Sequence, residues 1–299
     1  MKNFLLTLII LISLAFNTSF SIHEKNNAYK LQDHFVFIKT HIELIKNKEC
    51  RADCYNLFDI EKETKKLNKA LKANPLLVGS GFVYDNKHNT KIITASHLCD
   101  KIENYLSYRK DFNDNKVDLL QAIVDNKSLD PLAAIYIASN YSLDPVVTLY
   151  DFNGNTYAFK EILKQDKNKD LCSIKSDSVF GIPVKFSNAN CDYGEEVVNI
   201  STSDGLYFPG AVPQYKGIYS GHVKNKRFKV FSEKSEISIY TIDISQGSSG
   251  SAVFSKKTKK ICGIIAASLE GAKVSLGSSN NDIKKFINGD AGSRTQVQK

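Results

Sequence analysis

The sequence predicts a mainly antiparallel β protein of the barrel or sandwich type, preceded by a helical N-terminal region. Short runs of β-branched and aromatic residues recur from Pro145 to Phe286, with turn residues between them. Many short strands at such spacing are typical of antiparallel sandwiches and barrels. The apolar content of 42% and charged content of 24% over 299 residues are those of a globular protein with one large domain or two small ones.

Residues 1–21 have the layout of a secretory signal peptide. Lys2 precedes an apolar run from Phe4 to Phe16, and small residues stand at Ser19 and Ser21. The run is short for a bilayer span, so we expect a cleaved signal and a secreted or periplasmic protein without stable membrane insertion. An uncleaved membrane anchor is the alternative.

Residues 22–75 are predicted to form a helical extension, either a brace or a pro-segment. Apolar residues repeat at spacings of three and four from His34 to Lys46 and from Ile60 to Lys72, which is the period of an amphipathic helix. Pro75 closes the region. The brace is the simpler interpretation, and under it the mature chain begins near Ile22.

The chain changes character after Pro75. Leu76 to Val83 and Lys91 to Ala95 are predicted strands joined by a polar turn. Residues 100–144 are less regular, with a predicted helix near Val117 to Val124, and resemble an insertion. The small, polar residues 289–299 are predicted to be a disordered tail.

The cysteines favour disulfide bonds over a metal site. An exported chain lets them oxidise, and six cysteines allow about fifteen pairings that the sequence does not distinguish. One pair lies four residues apart, but no second Cys or His pair follows at zinc-ligand spacing, so we expect no metal and no cofactor. The six are Cys50, Cys54, Cys99, Cys172, Cys191 and Cys262.

The net charge of +8 is spread over many lysines. Nucleic-acid binding proteins gather such charge in a stripe with interleaved aromatic residues, which this chain lacks. We therefore expect no nucleic-acid partner, and we expect a monomer.

The most informative stretch is Gly247-Ser248-Ser249-Gly250-Ser251-Ala252-Val253. A serine nucleophile needs its hydroxyl at a tight turn, with backbone N–H groups aimed at the oxygen that becomes negative during acyl transfer. Glycines allow such a turn. Ser249 is the predicted nucleophile, and the N–H groups of Gly247 and Ser249 are the predicted oxyanion hole. A Gly/Ser cluster alone is weak support, because most are ordinary loops.

His97 is the predicted general base. It follows a β-branched strand that ends in small residues, Ile92 to Ser96. A base at the rim of a rigid element can lie within hydrogen-bond reach of a nucleophile. The other five histidines lack this context and are assigned to surface or core: His23, His34, His41, His88 and His222.

Asp170 is the predicted orienting acid. It stands immediately before the alternating strand Leu171 to Lys175, where it can be buried and fix the imidazole of the base. The nearest rival is Asp130, ahead of Leu132 to Ile137.

Together these motifs resemble the trypsin-like serine protease superfamily, most closely its bacterial branch of high-temperature-requirement proteases and glutamyl endopeptidases. The order His, Asp, Ser agrees, as do Thr94-Ala95-Ser96-His97 and Gly247-Ser248-Ser249-Gly250-Ser251. Gly79-Ser80-Gly81-Phe82 resembles the strand before the histidine hairpin, and Gly263-Ile264-Ile265-Ala266 the strand that pairs with extended substrate. The resemblance covers about Leu76 to Asn288.

The resemblance implies two six-stranded antiparallel β-barrels, about 76–180 and 181–288, with the site in the cleft between them. It implies hydrolysis of polypeptide substrates through an acyl-enzyme, with His97, Asp170 and Ser249 as the triad and Ala266 on the substrate-binding strand. An inactive protein of this fold that serves as a protein-binding module is the alternative.

The resemblance also suggests a specificity. Asp243, six residues before the nucleophile, takes the position at the base of the primary pocket, where a carboxylate selects Arg or Lys. The alternative is that Asp243 faces solvent. The chain departs from the family in the long segment between His97 and Asp170, and in Ser251 and Ala252, which replace the usual glycine and proline.

Overall fold

The computed structural model describes residues 31–47, 57–125, 130–225, 231, 236–269 and 272–289. The predicted signal peptide and almost all of the predicted tail lie outside these ranges, as do Cys50 and Cys54. In the described ranges, twelve strands form two closed, antiparallel, six-stranded barrels. The predicted two-barrel fold is confirmed.

The first barrel has the strand order β1-β2-β3-β6-β5-β4. Its strands are β1 (Phe35–Lys46), β2 (Leu77–Asp85), β3 (Lys91–Thr94), β4 (Tyr141–Tyr150), β5 (Thr156–Asp166) and β6 (Leu171–Ser176). The second barrel has the order β10-β11-β12-β9-β8-β7. Its strands are β7 (Glu196–Ile200), β8 (Gln214–Lys224), β9 (Glu236–Tyr240), β10 (Ala252–Ser255), β11 (Ile261–Leu269) and β12 (Val274–Ser279).

Strand β1 corrects one prediction. The segment from His34 to Lys46 is not a helix: β1 pairs with β2 over six register positions from Phe35 and with β4 over ten from Phe37. Val36 and Ile38 pack inside the first barrel, whereas Phe35 and Phe37 pack in the core that joins the barrels. Because both faces are buried, the alternation that marks a strand is absent from this run, and sequence periodicity alone misassigns it.

Helices pack on the first barrel, several of them where β1 ends and β4 begins. They are α1 (Leu57–Ala73), α2 (Ser96–Ser107), α3 (Arg109–Asp114), α4 (Lys116–Asp125) and α5 (Pro131–Asn140). The helices predicted from Ile60 to Lys72 and near Val117 to Val124 are therefore present. The apolar faces of α1, α4 and α5 form one buried cluster with β1 and β4, whereas α2 packs into the core of the first barrel. The buried members of that cluster are Leu44, Leu67, Leu120, Ala133, Ala134, Ile137 and Leu143.

Charged contacts fasten this helical layer to the barrel. Arg109 Nη2 lies 2.6 Å from Asp144 Oδ2 on β4, and Asp144 is buried. Lys72 Nζ at the end of α1 lies 2.9 Å from Glu43 Oε1 on β1. The last helix, α6 (Asn280–Asn288), follows β12 and begins at Ser279, whose side chain accepts the N–H of Asp282 as an N-cap.

The two barrels share a continuous apolar core. The first barrel contributes, for example, Phe82, Ile93 and Leu171 to this core. The second barrel contributes Ile200, Phe254 and Ile264. The expectation of disulfide bonds is met by two, Cys99–Cys172 and Cys191–Cys262. Within the described ranges, no helix is both long and apolar enough to cross a membrane.

Candidate active site

His97 lies in the first turn of α2, directly after β3. Ala95 at the N-cap is extended, with φ −76° and ψ 143°, and makes no side-chain capping bond. The cap comes instead from Asp170, whose Oδ1 accepts the backbone N–H of His97 at 2.9 Å. A carboxylate at a helix N-terminus is favoured by the free N–H groups and by the helix dipole.

The same carboxylate binds the imidazole. His97 Nδ1 lies 2.9 Å from Asp170 Oδ2 and 3.1 Å from Oδ1. Asp170 is 2% exposed, while the His97 side chain is 33% exposed. A buried carboxylate on Nδ1 fixes the ring and leaves its other nitrogen, Nε2, to act on the cleft side.

Asp170 is set in place from both barrels. Its backbone has φ +50°, in the left-handed region, at the end of the turn between β5 and β6. The carbonyl of the preceding Lys169 accepts a hydrogen bond from Ser278 Oγ on β12 of the second barrel. Sequence analysis gave no signal for Ser278, because this contact joins positions 109 residues apart.

The rival acid, Asp130, has a different contact. It is exposed, and its Oδ1 accepts the N–H of Ala133 at 3.1 Å at the start of α5. Of the two candidate acids, Asp170 is therefore the one that contacts His97.

The turn that carries Ser249 is docked on the first barrel. The Ser249 carbonyl accepts the N–H of Ser80 at 2.9 Å. Gly250 has φ +86°, and a Cβ there would lie 2.1 Å from Ser80 O and 2.2 Å from Thr94 Oγ1. Glycine is therefore required both by the backbone conformation and by the closeness of the other barrel.

The Ser249 hydroxyl is half-buried and donates to the carbonyl of Ala266 at 3.5 Å. Ala266, His97 and Asp170 line one pocket of about 290 Å³. Among the described contacts Ser249 Oγ makes no hydrogen bond with His97. Catalytic hydrogen bonds are often long or misaligned before substrate binds, and a rotation about Cα–Cβ redirects the hydroxyl.

Two backbone N–H groups beside Ser249 are held free. The carbonyl of Gln246 accepts Asp204 N–H at 2.5 Å, and the carbonyl of Ser248 accepts Ser251 N–H at 3.0 Å. In a trans peptide the N–H points opposite to its C=O, so the N–H groups of Gly247 and Ser249 face away from those bonds. Neither donates to a protein acceptor in the described part of the chain. Free, preorganised N–H groups are what an oxyanion hole requires.

Hydroxyl side chains between the barrels fix this loop. Ser80 Oγ donates to the Gly247 carbonyl at 2.9 Å, and Thr202 Oγ1 donates to the same carbonyl at 3.2 Å. A Cβ on Gly247, which has φ +95°, would lie 2.3 Å from Thr202 O. Sequence analysis places Ser80 on a predicted strand, but it gives no signal for Thr202, which carries no local motif.

A second carboxylate lies in the His97 pocket. Asp100, one helical turn after His97, accepts Lys167 Nζ at 2.8 Å and Gln165 Nε2 at 2.7 Å. Burial alone would raise the pKa of the Asp100 carboxyl, but these hydrogen bonds and the charge of Lys167 hold it below its ordinary value. Asp100 is therefore ionised at neutral pH.

A disulfide ties the His97 helix to the Asp170 strand. Cys99 lies two residues after His97 and Cys172 two residues after Asp170, and both cysteines are fully buried. Sequence analysis leaves the pairing of the six cysteines open, and this pair was not predictable because the two residues lie 73 positions apart.

Asp243 does not fit the predicted pocket base. Its side chain is 70% exposed and lies 3.9 Å from Lys273 Nζ, itself 80% exposed. A solvated carboxylate needs no bound cation to compensate it, so the argument for Arg or Lys selection fails. An offset of six residues from Ser249 fixes a position in the sequence but not the direction in which the Asp243 side chain points.

The described residues hold no cluster of three or more His, Cys, Asp or Glu side chains suited to a metal ion.

Comparison with known proteins identifies the family. The sequence model of the trypsin-like peptidase domain matches residues 79–264, more than half of the chain. The chain therefore belongs to the trypsin-like peptidases, and the family expected from its motifs is confirmed. No curated protein matches it in sequence.

Solved structures show the same fold. The active form of the Rv3671c protease from M. tuberculosis aligns with 93% of this chain and 89% of its own, at 11% identity and a TM-score of 0.54. An inactive form of that protease aligns over 90% of this chain and 94% of its own, also at 11% identity, with a TM-score of 0.53. At this identity the likeness concerns the fold alone.

Proposed function

We propose that this trypsin-like peptidase is a serine endopeptidase in which Ser249 is the nucleophile, His97 the general base and Asp170 the residue that orients His97. The observation that carries the proposal is the hydrogen bond of 2.9 Å between His97 Nδ1 and Asp170 Oδ2. Both residues line a pocket together with Ala266, and the carbonyl of Ala266 accepts the Ser249 hydroxyl. Three segments far apart in sequence converge on one cleft.

The proposed reaction begins when Ser249 Oγ attacks the carbonyl carbon of the scissile bond. His97 Nε2 takes the hydroxyl proton and then gives it to the leaving amine, and the C–N bond breaks to leave an acyl-enzyme. Asp170 remains ionised and stabilises the imidazolium. Water, deprotonated by His97, then hydrolyses the ester and restores Ser249.

The N–H groups of Gly247 and Ser249 are proposed to stabilise the oxyanion. Their fixed orientation supports this role, because the carbonyls of the same peptide units are already hydrogen-bonded on the opposite side. Donors held in place before the reaction stabilise the developing charge without reorganisation, and losing one such donor costs about 10²- to 10³-fold in turnover.

The proposed substrates are polypeptides, and the proposed location is outside the cytoplasm. Two disulfides support export, because such bonds persist in oxidising compartments. Since Asp243 is solvated, we propose no preference for Arg or Lys.

Digestion of a denatured protein by the mature enzyme and by Ser249→Ala tests the proposal. We expect the wild type to release fragments whose ends define its side-chain preference, and Ser249→Ala to release none while unfolding at a similar temperature. Equal digestion by both, or none by a folded wild type, contradicts the proposed function; the second result favours a binding module.

A further inference from the structure

A second pocket, of about 420 Å³, lies in the seam between the barrels. One wall comes from β1, β2, β4 and the end of α1, and the other from the turn Ser203–Gly205 and the nearby Tyr207. The lining residues that matter here are Phe37, Lys39, Ala73, Val78, Asp204 and Tyr207.

This pocket adjoins the nucleophile loop on the side away from the His97 pocket. Asp204 donates its N–H to Gln246 O and accepts Ser245 Oγ on Oδ1, each at 2.5 Å. On the opposite side of the loop, Gly250 N–H donates to Ile265 O at 2.8 Å, next to Ala266. The loop that carries Ser249 therefore lies between the two pockets.

The position of the pocket defines which part of a substrate reaches it. The resemblance to trypsin-like peptidases implies that the acyl part of the substrate lies along β11 at Ala266. A chain that continues across Ser249 in extended form leaves β11 and passes over Asp204 and Gly205, at the mouth of the second pocket. The residues that follow the scissile bond are thus the ones that reach it.

The inner wall is aromatic and rigid. The rings of Phe37 and Tyr207 stack with centroids 4.8 Å apart, and Tyr150 lies 5.6 Å from each of them. The Tyr207 hydroxyl donates to Asp151 O at 2.5 Å, which fixes the ring. Burial raises the pKa of Tyr207, so this hydroxyl stays a donor at every physiological pH. Another ring packs well against such a wall.

The charges at the rim favour an uncharged ring over a charged side chain. Lys39 is half-buried and forms no ion pair within the described ranges, and burial together with Lys72 lowers its pKa. The carboxylate of Asp204 lies at the same pocket. Lys39 would attract an acidic side chain, but Asp204 would repel it. Asp204 would attract a basic side chain, but Lys39 would repel it. An uncharged aromatic ring can instead bind the Lys39 ammonium group on its face.

We propose that this pocket binds an aromatic side chain from the first residues after the scissile bond. The inference rests on the proposed endopeptidase function and adds a substrate class to it.

Two peptide series test this subsite. Residues before the scissile bond are taken from the digestion pattern and held constant, and each of the three following positions is Phe in one series and Ala in the other. We expect kcat/KM for the wild type to be about ten- to a hundredfold higher with Phe at one of these positions. Equal values for both series overturn the proposal.

Variants locate the preference. Ala73 is exposed, so Ala73→Trp fills the mouth without disturbing the core, and Tyr207→Leu removes the ring but keeps an apolar side chain. Both are expected to reduce the Phe-to-Ala ratio towards one. Leu206→Ala, on the same loop but 48% exposed and outside the lining, is the control and keeps the ratio. A ratio that survives both Ala73→Trp and Tyr207→Leu places the preference elsewhere and overturns the assignment.

Ester substrates that end at the scissile bond separate the two proposals. They report acyl transfer by the wild type without using the second pocket. Hydrolysis of the ester without any Phe preference refutes the subsite and leaves the proposed function standing. Failure to hydrolyse both esters and peptides refutes the function itself, and with it the subsite.

Discussion

Gly250 is tightly constrained by the other barrel. The Cβ that an alanine would add lies 2.1 Å from Ser80 O, at a backbone φ of +86°. Gly194 offers a matched comparison, since it has φ +82° but nothing within 4 Å of the added Cβ. The two glycines share the cost of the left-handed conformation and differ in the clash.

We expect Gly250→Ala to abolish hydrolysis and to lower the melting temperature, because the Ser249 turn must move away from the first barrel. Gly194→Ala should cost only about 1–2 kcal/mol of backbone strain and should keep its kcat/KM. Thermal unfolding and peptide hydrolysis of both variants check this. Similar stability and activity for the two would contradict the docking of the Ser249 turn on Ser80.

Asp170 is expected to orient His97 through both oxygens. Asp170→Asn keeps the shape but replaces one acceptor by a donor, so the imidazole tautomer required of a base is no longer favoured. Turnover should fall by about 10⁴-fold, as in serine protease triads. Asp130→Asn, at the exposed start of α5, should leave kcat unchanged. A crippled Asp130→Asn with an active Asp170→Asn would reverse the assignment.

At this scale, sequence predicted the residues whose motifs are local and missed the contacts between distant segments. His97 follows its strand directly and Ser249 lies within its glycines, so local motifs were enough to single out both as candidates. The bond from Asp170 to the His97 N–H spans 73 residues and left no local pattern. Asp243 was misplaced because a sequence offset gives no side-chain direction.

The Cys99–Cys172 disulfide joins the two elements that carry the His97–Asp170 pair. Cys191–Cys262 closes a loop of nearly the same length, since the sequence separations of the two disulfides are 73 and 71. In the chain-entropy account each contributes about 4 kcal/mol by restricting the unfolded chain. Their effects on stability should therefore be similar, and only their effects on catalysis should differ.

We expect the double variant Cys99→Ser with Cys172→Ser to lose kcat at a temperature where it remains folded, with KM little changed. The matched variant Cys191→Ser with Cys262→Ser should lose comparable stability and retain kcat. Kinetics on both, each below its own melting temperature, decide the matter. A parallel loss of kcat in the two would mean that the first disulfide acts through stability alone.

Strand β1 changes the interpretation of the N-terminal region. It pairs with both β2 and β4 and closes the first barrel, so cleavage near Pro75 would remove a barrel strand and its buried phenylalanines. This favours retention of the segment from Phe35 onwards over its removal as a pro-segment. In the described part of the predicted helical extension, α1 packs against the first barrel as a brace would.

The site exists only where the two barrels meet. His97 and Asp170 belong to the first barrel and Ser249 to the second, while Ser80 N–H holds the Ser249 carbonyl and Ser278 Oγ holds the carbonyl before Asp170. The shared apolar core keeps the barrels in register. Because each barrel holds part of the other in place, we expect the proposed catalytic roles of His97, Asp170 and Ser249 to be gained or lost as a unit.

Labelling by a fluorophosphonate tests most directly whether Ser249, His97 and Asp170 act together. The reagent reacts with a serine only when a base and an oxyanion hole activate it. We predict that the folded, full-length protein is labelled once, that the modified peptide contains Ser249, and that Ser249→Ala and His97→Ala are not labelled although folded. A folded wild type that resists the reagent, or a label on any residue other than Ser249, would contradict the account.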